Sequence, residues 1–275
     1  MTRILVLGAH PDDAEVYAGG LLVRQCRLGA QVKIVSVTDG SSGHQSLSPE
    51  RLKQIRRSEA AAAGATVGAE YVTWDFRDGY LQPTIDVREA IVEEIRGFQP
   101  DLVLTHRPND YHPDHRAVGT AVQDASYLVT VPSVCPKVSA LRSDPVVAYM
   151  CDMFSRPNRL RADIVLGVAE EFHGLVTMAA CHESQFFDWL AYHDKVLDEV
   201  PEGKEPRRKW LAGRFEQLHA QRATFFEEEL TGLNLSSPPK VELYELSEYA
   251  GSLSDQAKQE LFPGDLSNSS SPAGS

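Results

Sequence analysis

The chain has 275 residues, 42% of them apolar and 24% charged, enough to bury a full core as one large α/β domain. Its 27 basic against 39 acidic residues leave a formal charge of −12, which opposes binding to nucleic acid or to an anionic membrane surface. Four cysteines (Cys26, Cys135, Cys151, Cys181) lack Cys-x-x-Cys spacing, and no run approaches the roughly 18 apolar residues of a membrane span. The apolar stretch Ile4–Ala9 is broken by Pro11 and two aspartates, too early for a signal peptide. A reduced, cytoplasmic protein with no nucleic-acid and no membrane partner is expected; a homo-oligomer is compatible with this composition.

Along the chain, Arg3–Ala9 reads as a buried strand and Ala14–Leu28 as a helix closed by Gly29. Gln31–Thr38 is the next strand, ending at Asp39-Gly40. Ser48-Pro49-Glu50 supplies a cap, a first-turn proline and an acid for a helix to about Ala63, before Gly64. Glu70–Phe76 is a third strand with Asp78-Gly79 as its turn, and Asp86–Phe98 is a helix with Ile91, Ile95 and Phe98 on one face. Pro100 stops it. Asp101–His106 is a fourth strand and Ala117–Val129 the helix that follows. Strand and helix alternating in this way predict an α/β fold, a mostly parallel sheet with helices on both faces.

From about residue 145 the regularity loosens. Val146–Met153 and Ala162–Val168 read as strands, Glu170–Ser184 as a helix, Arg207–Leu230 as the longest helical stretch and Val241–Leu246 as a late edge strand. The basic cluster Lys204–Lys209 is interrupted by Glu205 and reads as a solvated helix face. Residues 1–266 are expected to form a single α/β domain, and the serine-rich 267–275 a disordered tail.

Two polar knots carry the chemistry: Gly8-Ala9-His10-Pro11-Asp12-Asp13-Ala14-Glu15 after the first strand, and Tyr111-His112-Pro113-Asp114-His115 after the fourth. Either alone could be a turn in which proline fixes φ and an aspartate caps the next helix. Together they stand just beyond the C-terminal ends of two strands, where open α/β sheets place ligands. His10, Asp13 and His115 then form a two-imidazole, one-carboxylate triad that suits zinc and also serves non-haem iron(II). The parallel α/β reading favours zinc and hydrolysis, although iron(II) can occupy such a triad where it is abundant. Asp12 is left over as a general base for a metal-activated water attacking a carbonyl carbon. His112 is the candidate to stabilise the resulting oxygen anion, with Asp114 to orient or charge it.

These knots resemble the signature of the PIG-L/LmbE-like family of zinc-dependent N-deacetylases. The likeness extends through Arg56-Arg57-Ser58-Glu59, Asp78-Gly79 and His182-Glu183-Ser184-Gln185, over roughly the first 190 residues. It implies a Rossmann-like fold, Zn2+ on His10, Asp13 and His115, Asp12 as general base and His112 as electrophilic or acid histidine. The implied reaction is removal of an acetyl group from an N-acetylglucosamine-type amino sugar or its conjugate. Arg56 and Asp78 match residues placed near the substrate; an arginine paired on its helix to Glu59, or to Glu70, is the plain alternative. His182 is read as shaping the pocket or as a capped histidine at a helix end. Trp189 and Tyr192 would stack on a sugar face or pack in the core. The alternatives in function are a hydrolase of another amide or ester, and a non-catalytic metal-dependent carbohydrate binder.

Overall fold

The computed structural model describes residues 1–267; the serine-rich end, apart from Ser267, lies outside them. The strands are β1 (Arg3–Gly8), β2 (Gln31–Thr38), β3 (Glu70–Phe76), β4 (Leu102–Thr105), β5 (Val146–Met150), β6 (Ile164–Gly167) and β7 (Val241–Leu246). The helices are α1 (Asp13–Arg27), α2 (Pro49–Val67), α3 (Ile85–Phe98), α4 (Pro113–Leu128), α5 (Phe172–Ala179), α6 (Leu190–His193), α7 (Lys204–Phe225), α8 (Glu227–Leu230) and α9 (Asp255–Leu261). A π-helix covers Ser184–Trp189.

All seven strands form one sheet in the order β3-β2-β1-β4-β5-β7-β6. The pairs among β1 to β5 are parallel, and β7 runs antiparallel to both β5 and β6. This is the expected α/β architecture. β1 is buried from Ile4 onward, as a central strand covered on both faces must be. Its side chains alternate: Ile4 and Val6 pack with Ala14, Ala18 and Leu21 of α1 and Ala60 of α2, whereas Leu5 and Leu7 pack with Ile91 of α3 and Val118 of α4. Leu7 pairs with Val35 on one side and Thr105 on the other, so the loops after β1 and β4 leave the sheet side by side. The chain reverses its direction of travel across the sheet between these two strands, the switch point where α/β sheets bind ligands.

Several boundaries differ from the sequence reading. α2 passes through Gly64 and ends at Gly68, which has φ of 79°. A Cβ at Gly64 would lie 2.7 Å from the Ala69 carbonyl oxygen, so this glycine admits β3 and does not end the helix. α4 begins at Pro113, not Ala117, which puts His115 in its first turn. The expected helix over 170–184 is shorter, and the π-helix follows it. The late strand β7 is no edge strand: it lies between β5 and β6, its backbone paired on both sides. Among the described residues no helix is long and apolar enough to cross a membrane. The four cysteines are unpaired, Cys135 and Cys151 buried and the other two half-buried.

Candidate metal centre

The first half of the site is built by backbone geometry at the end of β1. A Cβ on Gly8 would lie 3.0 Å from Asp13 Cβ, so glycine lets the Asp13 side chain fold back over its own loop. Asp13 Oδ2 accepts from the amides of Ala9 (2.8 Å) and His10 (2.7 Å) and lies 2.9 Å from His106 Nε2. Those contacts occupy one oxygen. The other, Oδ1, faces His115 Nε2 at 3.4 Å. His10 Nδ1 stands 3.2 Å from His115 Nε2 and 3.8 Å from Asp13 Oδ2.

These spacings fit a divalent cation. Ligands about 2.0–2.1 Å from a tetrahedral zinc stand about 3.4 Å from one another, close to the separations of His115 Nε2 from His10 Nδ1 and from Asp13 Oδ1. The outer partners agree. His10 Nε2 lies 3.2 Å from Asp114 Oδ2 and 3.3 Å from Asp78 Oδ1, and His115 Nδ1 lies 3.1 Å from Asp110 Oδ1. In the neutral rings carboxylates there would place the proton on the outer nitrogens, leaving both inner lone pairs to meet at one point, as a cation requires. Burial opposes charge on His10, yet hydrogen bonds to Asp114 and Asp78 and the charge of Asp13 raise it to about 10. His115 is raised to about 9 against burial, chiefly by Asp13 and Asp110. Asp13 is held well below the usual carboxylate range despite burial, by His115 and His106. Positive charge is strongly favoured at this centre.

Asp12 stands beside the triad without joining it. Its φ of 129° lies in a region that non-glycine residues rarely adopt. The Tyr71 hydroxyl accepts from its amide at 3.1 Å, and Gln185 Nε2 donates to its Oδ2 at 3.0 Å. Burial and the neighbouring Asp13 push its carboxyl up to about 6, while His182, Arg56 and His10 pull the other way. His112 caps α4, its Nδ1 accepting from the Asp114 amide at 3.2 Å. That bond places the proton of a neutral ring on Nε2. Burial and the charges of His10 and His115 lower its pKa, which keeps the ring neutral, and its ring centre lies 4.5 Å from that of His10.

A family model described as PIG-L: GlcNAc-PI de-N-acetylase matches residues 5–126, a segment holding both knots. That segment is similar to the PIG-L/LmbE-like family. The chain is 34% identical over 128 residues to a diacetylchitobiose deacetylase of Thermococcus kodakarensis, covering 42% of this chain and 46% of that one. It is 26% identical over 153 residues to a 4-oxalmesaconate hydratase of Pseudomonas putida, covering 53% and 59%. The aligned segments thus span about half the length of these curated relatives. The solved N,N'-diacetylchitobiose deacetylase from Pyrococcus horikoshii superposes with a TM-score of 0.69 at 22% identity, covering 90% of this chain and 84% of that one; at that identity the likeness speaks to the fold.

In this structure His10, Asp12, Asp13, His112 and His115 come together. Four other expected site residues stand differently. The Asp114 side chain does not reach the His112 ring: it faces His10 and accepts from the amides of Gly79 (2.6 Å) and Leu81 (3.1 Å), because the first helical turn points it back toward β3. Asp78 sits behind His10 and accepts from the Ser42 amide at 2.9 Å. His182 is fully buried against Glu15 at 3.0 Å, out of reach of a substrate. Arg56 is also buried and donates to the Gly43 carbonyl at 2.9 Å and to Gln185 Oε1; its expected helix partner Glu59 instead accepts from Ser184. Trp189 and Tyr192 stack on each other, ring centres 6.1 Å apart.

His106, Asp110 and Gln185 escaped the sequence reading. His106 stacks on His115 with ring centres 3.9 Å apart; its signal was a histidine closing an otherwise apolar strand at the rim that bears the ligands. Asp110 had a weaker one, an acid just before the second knot. Gln185 had none beyond its place in the third matching segment.

Proposed function

We propose that this chain is a divalent-metal-dependent hydrolase that removes the N-acetyl group from an N-acetylglucosamine-type amino sugar or its conjugate. The observation that carries the reading is Asp12, a strained, buried carboxylate beside the clustered His10, Asp13 and His115 and bonded to none of their side chains. Binding alone has no use for such a group. A cation on His10, Asp13 and His115, zinc by the donor set and iron(II) as the other candidate, would supply an acidified water and polarise the substrate carbonyl. Asp12 takes the proton of the attacking water as the C–O bond forms and returns it to the nitrogen as the C–N bond breaks. His112, with its proton on Nε2, donates to the oxygen of the tetrahedral carbon.

The relative named a hydratase supports a second reading, addition of water to an unsaturated acid. Charge favours the first. Asp12, Asp13, Asp78, Asp110 and Asp114 crowd the centre, Arg56 is buried and engaged, and Arg107 is tied to Asp152 at 2.6 Å. A neutral acetamide suits that field better than a polyanion does.

The test is free-amine and acetate release from a panel of N-acetylated amino sugars and glycosides by zinc-loaded protein, with esters and unsaturated acids alongside. Chelation is expected to abolish turnover. Asp12→Asn should keep its cation and lose about 10²- to 10⁴-fold in kcat. An Asp12→Asn protein as active as wild type, or tight sugar binding with no amine formed, overturns the proposal.

A further inference from the structure

We propose that Gln185 is a positioning residue for the base: its amide is oriented by Arg56 so that it ties down Oδ2 of Asp12 and leaves Oδ1 free for the proton. The inference rests on the reading of Asp12 as the base. A guanidinium carries only donors, and Arg56 Nη2 donates to Gln185 Oε1. The two ends of the amide, which otherwise look alike, are thereby distinguished. Nε2 faces Asp12 and donates to Oδ2 at 3.0 Å. Among the described residues no side chain or amide donates to Asp12 Oδ1.

The relay is gripped from both ends. Arg56 is pinned by the Gly43 carbonyl and by close contact with Gly40, where a Cβ would lie 2.7 Å from Arg56 Cδ. Gln185 stands in the π-helix, a form frequently found at functional sites. The preceding Ser184 donates its amide (2.8 Å) and hydroxyl (2.6 Å) to Glu59. Arg56 and Glu59 both belong to α2, so one helix fixes both the position of the turn and the direction of its amide. Carboxylate, amide and guanidinium form a chain with one sense of donation throughout.

Gln185→Glu keeps the size and the acceptor toward Arg56 but removes the hydrogen toward Asp12. It should lower kcat about 10- to 100-fold with KM within about threefold, with cation content and melting temperature as in wild type. Arg56→Met should lower kcat too, and the double variant should lose much less than the product of the two, since both act through one amide. Unchanged kcat in Gln185→Glu, or multiplicative losses, overturns the proposal. A second readout needs no turnover: the side-chain amide NMR signal of Gln185, assigned by its loss in Gln185→Glu, should be protected from exchange and should shift in Asp12→Ala. A freely exchanging signal, or one blind to Asp12→Ala, overturns it as well. The expected signal in a wild-type protein that releases no amine would sink the hydrolase reading alone.

Discussion

The loops after β1 and β4 and the π-helix after α5 reach the same centre by different routes. The first two leave adjacent parallel strands, and their ligands are fixed within a few residues by backbone amides and a helix cap. The π-helix arrives from the irregular second half of the chain: Phe186 and Phe187 pack it against α5 and α7, and side chains of α2 fix its first turn at the site. The arrangement of His10, Asp13 and His115 is therefore a property of the sheet's rim, whereas the setting of Asp12 depends on how the second half packs against α2. Removing a rim ligand tests this contrast most severely. His10→Ala or Asp13→Ala should release the cation and bring turnover to background, read by metal analysis beside the amine assay, with the fold retained in circular dichroism. Retention of a full equivalent of cation in either variant would break the contrast at its root.

A smaller effect is expected one layer out. Asp110 accepts from the His112 amide at 2.9 Å and faces His115 Nδ1, so it holds one ligand and the putting-down point of the cap at once. Asp110→Asn should weaken cation affinity about 10- to 100-fold, measured by chelator competition, while Gln185→Glu leaves that affinity unchanged. If the two variants weaken it equally, rim and π-helix do not divide the work as described.

How much of this was legible follows the same division. In β1 to β4 a buried strand, a turn and an amphipathic helix repeat, and each signal is local, so those strands and both knots could be read residue by residue. That His10, Asp12 and Asp13 cluster was legible because they share one loop, and that His115 joins them because its knot follows the neighbouring strand. Asp114 was legible only in part: the first turn of α4 swings its side chain toward Gly79 and Leu81, so it acts on His112 by its charge and not by a side-chain hydrogen bond. His182 and Gln185 sit near one another in sequence, and nothing local tells which one faces the site; that is settled by Glu15 and Arg56, more than a hundred residues away. β7 misled for a related reason: its place between β5 and β6 is decided by non-local pairing.

The least disruptive way to sharpen the contrast lies where the two halves meet behind the site. α1 carries Asp13 at its start and docks on the second half through Gly19 and Gly20, where added Cβ atoms would meet Leu175 at 2.8 Å and Val168 at 2.5 Å. The buried Glu242 of β7 accepts from the amides of Gly20 (2.6 Å) and Leu21 (2.9 Å), and the Tyr244 hydroxyl donates to the same carboxylate at 2.8 Å. A methyl at position 20 has no room unless α1 moves off β6. Gly20→Ala should therefore cost about 1–3 kcal/mol of stability, the usual penalty of overpacking, measured by urea denaturation. The ligands hang on loop amides and on α4, so cation affinity should stay within about threefold of wild type. A loss of affinity as large as that of Asp110→Asn would mean that the docking of α1, and not the rim alone, sets the ligand geometry.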